Sequence, residues 1–376
     1  MTKRHWESAI PGLLALAGLM LASCGGGQAT PATPQGSSAA APASLQAVID
    51  GALKEGKLVL IWGEGAVGGA EGARQLGAGL NKRYGLNLDV QFTPGPAMPD
   101  LAAKVLQEFL ANRPASTDVL IGSEAHFPAL IQAKGLEVVD WPSWSENVKN
   151  PKLLGTPDGQ AVKIASRTPG VTYNATRISG DAVPKNMQDL LKPQYKGRLA
   201  STPYAAMFDR LASDEWWGEQ RTYDYVTKLS AQASGLIRCG EDQRVASGEF
   251  DLFALDCGQD SSLRARAKGA PLSQVVPTDA AALVYWYMSV PKNAAHPNAA
   301  KLFIEFLMGR QGQDIMYETS FDDNHLLPGS HLAEPISKLQ AQGVTFKEID
   351  IAWVQRNDEQ KIDRVRKQLQ DILAKK

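Results

Sequence analysis

The chain has 376 residues, a formal net charge of −1 and 44% hydrophobic residues. A near-neutral balance provides no basic field for nucleic acid, so no nucleic-acid partner is expected. This length and apolar content are sufficient to bury a large core, and we expect two domains.

The first residues have the pattern of an export signal. Lys3 and Arg4 precede an apolar run at residues 13–21, which is too short to be a permanent membrane span. The following segment, Leu21-Ala22-Ser23-Cys24, resembles the bacterial lipobox, in which the cysteine becomes the lipidated first residue of the mature protein. We therefore predict a signal peptide over residues 1–24 and lipidation at Cys24. An ordinary signal peptide with an incidental cysteine is the alternative.

Residues 25–43 are nearly all Gly, Ala, Ser, Thr, Pro and Gln. This composition cannot bury apolar surface and predicts a disordered, flexible tether. We accordingly expect the protein in the periplasm or at the cell surface, held to a membrane by its lipid. Cys239 and Cys257 would then meet an oxidising compartment, in which disulfides persist.

The first strong α/β signal is an apolar run at residues 58–62, followed by a glycine-studded turn that leads into a helix. Glycines at positions 63, 65 and 68 match G-x-G-x-x-G, which is typical of dinucleotide-binding proteins, but the same strand and turn also suit one edge of a solute-binding cleft. A dinucleotide site needs an acidic residue at the end of the second strand, and Asp89 lies inside that strand instead. An exported NAD-dependent oxidoreductase is therefore only a remote alternative.

Strands and helices alternate with short links through the first half of the chain, beginning with a helix that Ser44 caps. This order predicts a mostly parallel sheet with right-handed crossovers. Two extended segments, at residues 162–166 and 170–174, then change the pattern, and a second α/β unit follows between residues 198 and 269. The fold class predicted is α/β with two lobes.

Six segments, spread in order over the predicted mature chain, carry a family resemblance. They are residues 92–96 (FTPGP), 117–122 (TDVLIG), 171–174 (VTYN), 190–199 (LLKPQYKGRL), 246–249 (ASGE) and 298–316 (NAAKLFIEFLMGRQGQDIM). As a set they resemble the periplasmic substrate-binding proteins of bacterial ABC importers, within the branch that contains ferric-iron-binding proteins. The resemblance implies a type II binding-protein fold, in which two mixed, mostly parallel α/β lobes joined by crossing strands close over a solute. It also implies delivery to an ABC permease.

On that fold, the first lobe comprises residues 44–166 and 276–320, and the second lobe comprises residues 167–275 and 321–376. We expect a monomer. The sequence has no H-E-x-x-H, P-loop, G-x-S-x-G or C-x-x-C motif, so neither enzymatic activity nor a cofactor is expected. A helix near the C-terminus, with Ile362, Val365, Leu369 and Leu373 on one stripe, is predicted to pack on the second lobe.

Small molecules bind open α/β sheets beyond the carboxyl ends of strands, so residues at those positions are the candidates for the cleft. They are Trp62, Glu64, Ser123, Glu124, Tyr204, Asp256 and Gln259. Two further candidates are Arg167, where the chain first crosses between the lobes, and Trp286, inside the predicted returning strand at residues 283–290. Most have a structural alternative: helix capping for the short polar and acidic side chains, burial for the tryptophans and a hinge salt bridge for Arg167.

The candidate side chains suggest a class of solute. Acidic groups beside aromatic faces favour a cation, whereas Arg167 suits an anionic end, so a zwitterion would use both. Ferric-binding relatives typically use an adjacent tyrosine pair and a histidine on the first-strand loop. The corresponding segments here read DCGQ at 256–259 and WGE at 62–64, so no metal site is predicted. An Fe(III) receptor and a solute receptor for a sensor kinase remain alternatives.

Cys239 and Cys257 each follow a predicted strand, and one helix separates the two strands. Neighbouring parallel strands lie about 4.8 Å apart, so cysteines just beyond their ends fall within disulfide range. We predict a disulfide that braces the cleft edge of the second lobe.

Overall fold

The computed structural model describes residues 44–205, 207–357 and 359–375, and these residues belong to one compact unit of the chain. The predicted signal peptide, the lipidated Cys24 and the tether lie outside the described residues. Within the described ranges, no helix combines the length and the apolar character needed to cross a bilayer.

The secondary structure alternates as the sequence predicts. The helices are α1 (Leu45–Glu55), α2 (Gly69–Tyr84), α3 (Met98–Leu110), α4 (Pro128–Gln132), α5 (Trp141–Trp144), α6 (Phe208–Leu211), α7 (Glu219–Gln232), α8 (Gln243–Ala246), α9 (Asp260–Ala267), α10 (Pro297–Met308), α11 (Arg310–Ser320), α12 (Ala333–Ala341), α13 (Ile351–Arg356) and α14 (Glu359–Leu373). The strands are β1 (Lys57–Trp62), β2 (Asp89–Pro94), β3 (Leu120–Ser123), β4 (Val162–Arg167), β5 (Val171–Asn174), β6 (Leu199–Ser201), β7 (Gly235–Leu236), β8 (Leu252–Phe253), β9 (Leu272–Val275), β10 (Ala282–Ser289) and β11 (Lys347–Ile349).

The first lobe is organised around β1 and β10. β1 pairs in parallel with β2, and its alternate residues Leu58, Leu60 and Trp62 are fully buried in a core that includes α10. β10 pairs antiparallel with both β3 and β4 and in parallel with β11. The helix before β1 begins as predicted, because Ser44 Oγ accepts a hydrogen bond from the Ala47 amide at 3.2 Å.

The second lobe is a five-stranded sheet in the order β7-β6-β8-β5-β9, with its own core. β6 pairs in parallel with β7 and β8, whereas β5 pairs antiparallel with β8 and β9. The two lobes are therefore mixed sheets, as predicted. However, antiparallel pairs equal parallel ones in the described part of the chain, because the strands at the two crossings between the lobes run against their neighbours.

The chain crosses between the lobes from β4 to β5 and returns from β9 to β10. The sequence places all residues after 320 in the second lobe, but the structure divides this segment. β11 extends the first lobe's sheet, since it pairs with β10, and Ile336 of α12 packs in the same cluster as Tyr285. The apolar stripe of α14 packs in the second lobe's core, as predicted.

Cys239 and Cys257 form a disulfide, and their Cα atoms are 5.8 Å apart. The pairing is the predicted one, but the reasoning from neighbouring strands is wrong. β6 lies between β7 and β8, so the loops that follow these two strands converge over the end of β6.

Candidate ligand-binding cleft

Two adjoining cavities lie between the lobes, where strands of both sheets end. The larger has a volume of about 510 Å³ and is lined from the first lobe by the turn after β3 and by β10, and from the second lobe by the loops after β6 and β8 and by α14. The smaller, of about 370 Å³, lies between Gly65 of the loop after β1 and the α8–α9 region. Arg167 and Cys257 line both cavities, so the two form one continuous cleft.

The first-lobe wall of the larger cavity is a 3-10 turn, Glu124–His126, that directly follows β3. The Ser123 amide donates a hydrogen bond to Nδ1 of His126 at 3.0 Å, so the neutral ring carries its proton on Nε2. Burial, together with the positive charges of Arg210 and Arg366, lowers the pKa of His126 to about 4. The ring is therefore neutral at pH 7.

The second-lobe wall begins at the loop after β6. Ala205 and Met207 have φ angles of 43° and 62°, a left-handed conformation that side-chain-bearing residues rarely adopt. Tyr204 lines the cavity, and its hydroxyl accepts a hydrogen bond from the Cys239 amide at 2.6 Å. The disulfide therefore fixes the loop on which Tyr204 rests. Strained, braced backbone of this kind is common at functional sites.

A buried ion pair joins the two lobes across the larger cavity. Nη2 of Arg210, in α6, donates to Oε1 of Glu124 at 2.7 Å, and the two side chains are only 12% and 6% exposed. Arg210 also pairs with Asp209, which in turn accepts from Nε of Arg366 at 2.9 Å. Burial lowers the pKa of Arg210, but the charges of Asp209 and Glu124 outweigh it, so that the pKa is raised.

Arg167 lies at the junction of the two cavities. Its guanidinium makes a two-point contact with Asp322, through Nε at 3.0 Å and Nη2 at 2.8 Å, and Nη2 also approaches Asp260 at 3.1 Å. The guanidinium carbon stands 3.8 Å from the ring centre of Trp286. Arg167 thus forms the predicted hinge salt bridge while it also lines the cleft, and it covers Trp286.

Five of the predicted candidates line the larger cavity: Ser123, Glu124, Arg167, Tyr204 and Trp286. Trp62 does not line the cleft; its alternative, burial, is what the structure shows. Its ring is fully buried, 5.2 Å from the ring centre of Phe92 and 6.2 Å from that of Phe303, because every second residue of β1 faces the core. Glu64 is exposed and lines neither cavity; it accepts from the Ala70 amide at 3.2 Å and so caps the start of α2.

Asp256 and Gln259, two further predicted cleft residues, do not line the cleft, because both side chains are buried behind it. Asp256 accepts hydrogen bonds from the Gly170 amide, the Thr172 hydroxyl and the Gln274 side chain, and burial raises its pKa to about 7 despite these contacts. Gln259 accepts from the Thr168 amide at 2.8 Å. Both side chains therefore fix the crossing between the lobes and do not line the two cleft cavities.

The glycine turn has a packing role that accounts for part of its resemblance to a dinucleotide fingerprint. Gly68 has a φ angle of 72°, and a Cβ at this position would lie 2.3 Å from the Thr319 hydroxyl of α11. A Cβ on Gly72 would lie 1.9 Å from the Val67 carbonyl oxygen. These glycines allow α2 to pack closely on the preceding turn and on α11.

Among the side chains of the larger cavity that sequence reasoning missed are His126, Asp209, Arg210 and Arg366. Asp209 and Arg366 are 157 residues apart and meet only because α14 packs beside α6. No local sequence pattern predicts such a pair. The position of His126, two residues after the predicted strand-end pair, was the available signal. Among the described residues, no group of three or more His, Cys, Asp or Glu side chains is arranged to hold a metal ion.

Comparisons with known proteins agree with this architecture. The Fe(3+)-binding periplasmic protein of Serratia marcescens is 26% identical over 168 residues, which is 42% of this chain and 49% of the relative. The chain thus spans about half the length of the curated relatives it matches.

Two solved structures share the fold. One is the substrate-binding protein of an ABC transporter from Agrobacterium tumefaciens, with a TM-score of 0.66 and 15% identity over 86% of this chain and 96% of that one. The other is iron-bound HitA from Pseudomonas aeruginosa, with a TM-score of 0.58 and 20% identity over 71% and 85%. Residues 116–342 match the family described as bacterial extracellular solute-binding protein. With more than half of its length matched and a two-lobed fold around a cleft, the chain belongs to this family of bacterial extracellular solute-binding proteins.

Proposed function

We propose that this protein captures a small organic solute between its lobes and delivers it, chemically unchanged, to an ABC permease. The observation that carries the proposal is the cavity of about 510 Å³ whose walls come from both lobes, at the ends of their strands. Its volume falls within the range of small-molecule sites. The family membership and the two-lobed fold support a receptor that needs no chemistry of its own.

The lining favours a zwitterion over a simple cation. Of the acidic candidates, only Glu124 lines the larger cavity, and it already faces Arg210. The aromatic face of Trp286 is occupied by Arg167, which leaves Tyr204 as the aromatic candidate beside the opening. A solute with both charges would bind its cationic group to Glu124 and its anionic group to a guanidinium.

A ferric receptor is the second candidate, because two of the curated relatives are named as iron-binding proteins. The larger cavity offers the hard oxygens of Tyr204 and Glu124, and Fe(III) prefers such ligands. Adding ferric citrate to the purified protein, with citrate alone as control, tests this. A raised melting temperature and a phenolate-to-iron absorption band, both lost in Tyr204→Phe, would favour iron over an organic solute.

The location and partners follow from the N-terminal pattern. We propose that Cys24 carries a lipid and that residues 25–43 let a monomeric receptor reach its permease from the membrane surface. The alternative partner is a sensor kinase. Pull-down from detergent-solubilised membranes separates the two, since recovery of permease subunits supports import and recovery of a kinase supports sensing.

Native mass spectrometry of the protein purified from its own source tests the proposed function. We expect a bound small molecule that leaves with its mass unchanged after unfolding. Titration calorimetry with that molecule should then show at least a tenfold loss of affinity in Trp286→Ala, because the Trp286 side chain lines the cavity and its ring supports the guanidinium of Arg167. Tyr223→Phe serves as a matched control for Tyr204→Phe, because Tyr223 lies in α7 and lines neither cavity, and only Tyr204→Phe should weaken binding. Conversion of the molecule to another product would overturn the proposal.

A further inference from the structure

The ion pair between Arg210 and Glu124 draws its partners from opposite sides of the cleft. Arg210 belongs to α6 of the second lobe, and Glu124 to the turn after β3 of the first lobe. Among the described residues, Glu124 makes no side-chain hydrogen bond except to Arg210. Separation of the lobes would therefore expose Nη2 of Arg210 and leave it without an acceptor.

The second lobe holds this guanidinium ready for such a separation. Asp209, whose side chain is 2% exposed, contacts Nη1 and the amide of Arg210, and it also accepts from Nε of Arg366. One buried carboxylate thus fixes two guanidiniums next to each other. Arg366 has a further pairing with Asp363, but Asp363 is 62% exposed and its charge is screened by water. The fixed charge of this wall is positive once Glu124 withdraws.

Further hydrogen-bond donors line the same cavity, Arg366 from the second lobe and His126 from the first. Nη2 of Arg366 makes no hydrogen bond to any residue in the described ranges, and neutral His126 carries its proton on Nε2. Planar guanidiniums bind the paired oxygens of a carboxylate or a phosphate better than any other side chain. The Glu124 carboxylate already demonstrates where such an oxygen would lie.

We propose that Arg210, supported by Arg366, binds an anionic carboxylate or phosphate group of the solute, and that Glu124 occupies this position when the cleft is closed and empty. The inference rests on the proposed function and extends it by naming the group that anchors the solute. An incoming anion replaces the Glu124 carboxylate on Arg210. Glu124 then becomes available to a cationic group on the same solute.

Calorimetric titration with acetate and with inorganic phosphate tests this at pH 7 and low ionic strength. Glu124→Ala removes both the competing carboxylate and its negative charge, so we expect it to bind one of these anions at least tenfold more tightly than the wild type. Glu124→Gln, which retains the shape, should show a smaller gain. Arg210→Met in the Glu124→Ala background should abolish the gain, and Arg366→Met in that background should reduce it. Preference for acetate or for phosphate identifies the anionic group.

Glu219→Gln is the matched control, because Glu219 pairs with Arg364 on the outer surface of the second lobe. It should bind both anions as the wild type does. Equal anion binding by the wild type, Glu124→Ala and Glu124→Gln, each with a cooperative unfolding transition, would overturn the inference. A gain that survives Arg210→Met would also overturn it. The solute retained by the wild type on purification is a separate measurement, so the capture function can stand even if the anion site fails.

Discussion

Arg167 and Arg210 are both buried arginines of the cleft, but their charges are balanced in different ways. Arg167 is fixed by Asp322 and Asp260, which are 1% and 6% exposed and sit at the hinge. Arg210 is balanced by Asp209 beside it and by Glu124 from across the cavity. Because a hinge moves little as lobes separate, we expect the first arrangement to persist during opening, whereas the second depends on closure. An arginine whose counter-charges lie at the hinge is therefore interpreted as structural. An arginine whose counter-charge comes from across the cavity is a candidate ligand-binding residue.

Replacing each arginine by methionine tests this contrast with the largest expected effect on stability. Arg167→Met leaves the buried carboxylate of Asp322 without its partner and leaves Asp260 paired only with Arg264, so it should cost about 3–5 kcal/mol in the free energy of unfolding. Arg210→Met should cost less, about 1–3 kcal/mol, because Asp209 keeps Arg366 and Glu124 can meet water when the cleft opens. Urea unfolding at pH 7 measures both. Equal losses for the two variants would contradict the proposed division.

The two tryptophans extend the comparison to apolar side chains. Trp62→Ala should cost about 3–5 kcal/mol of stability, because the ring fills the core between Phe92 and Phe303. Since Trp62 does not line the cleft, the affinity for the purified solute should stay within a factor of two of the wild type when measured below the unfolding temperature. Trp286→Ala should show the opposite pattern, with a small loss of stability and a large loss of affinity for the solute. A large loss of affinity in Trp62→Ala would mean that Trp62 contributes to the binding site.

The disulfide tests how firmly the second-lobe wall is held. Serine at both Cys239 and Cys257 should lower the free energy of unfolding by about 3 kcal/mol, since the cross-link closes a loop with a sequence separation of 18. Thermal unfolding of the double variant, compared with the wild type without and with reductant, measures the loss. If reduction destabilises the double variant as much as the wild type, the effect does not come from this disulfide.

His126 reports the positive charge of Arg210 locally, through its own pKa. Its folded pKa of about 4 lies below the unfolded value of 6.5, so the unfolded chain binds the proton more tightly. Its contribution to stability is complete above pH 6.5 and is lost as the pH falls toward 4. His126→Asn should reduce this acid sensitivity by on the order of 2 kcal/mol.

Nuclear magnetic resonance titration of the His126 ring sharpens the arginine comparison further. Arg210→Met should raise the pKa of His126, because one of its two positive neighbours is removed, whereas Glu219→Gln should leave it unchanged. An unchanged pKa in Arg210→Met would mean that the charge of Arg210 does not act on the ring.

The sequence predicted those features that depend on local patterns. The helix cap at Ser44, the alternation of strands and helices, and the positions of Glu124 and Tyr204 after strand ends all follow from periodicity and turn residues. The direction in which a side chain points was harder to predict from the sequence. Trp62 is the last residue of a strand whose buried face can be assigned only when the packing of α10 is known.

Features that depend on long-range packing could not be read from the chain. Asp209, Arg210 and Arg366 come together through the docking of α14 on α6, and β11 joins the first lobe by pairing with β10. The disulfide was predicted from the right residues by the wrong geometry, because the position of β6 between β7 and β8 is a property of the topology. Ion pairs across the cleft likewise cannot be predicted until the relative position of the two lobes is known.

A crystal structure of the protein with its purified solute tests the account most directly. We predict that the solute lies in the larger cavity in contact with both lobes, that its anionic group is within hydrogen-bond distance of Arg210, and that the Glu124 carboxylate has moved away from Nη2 of Arg210. A solute bound outside this cavity, with the contact between Glu124 and Arg210 unchanged at 2.7 Å, would contradict the account.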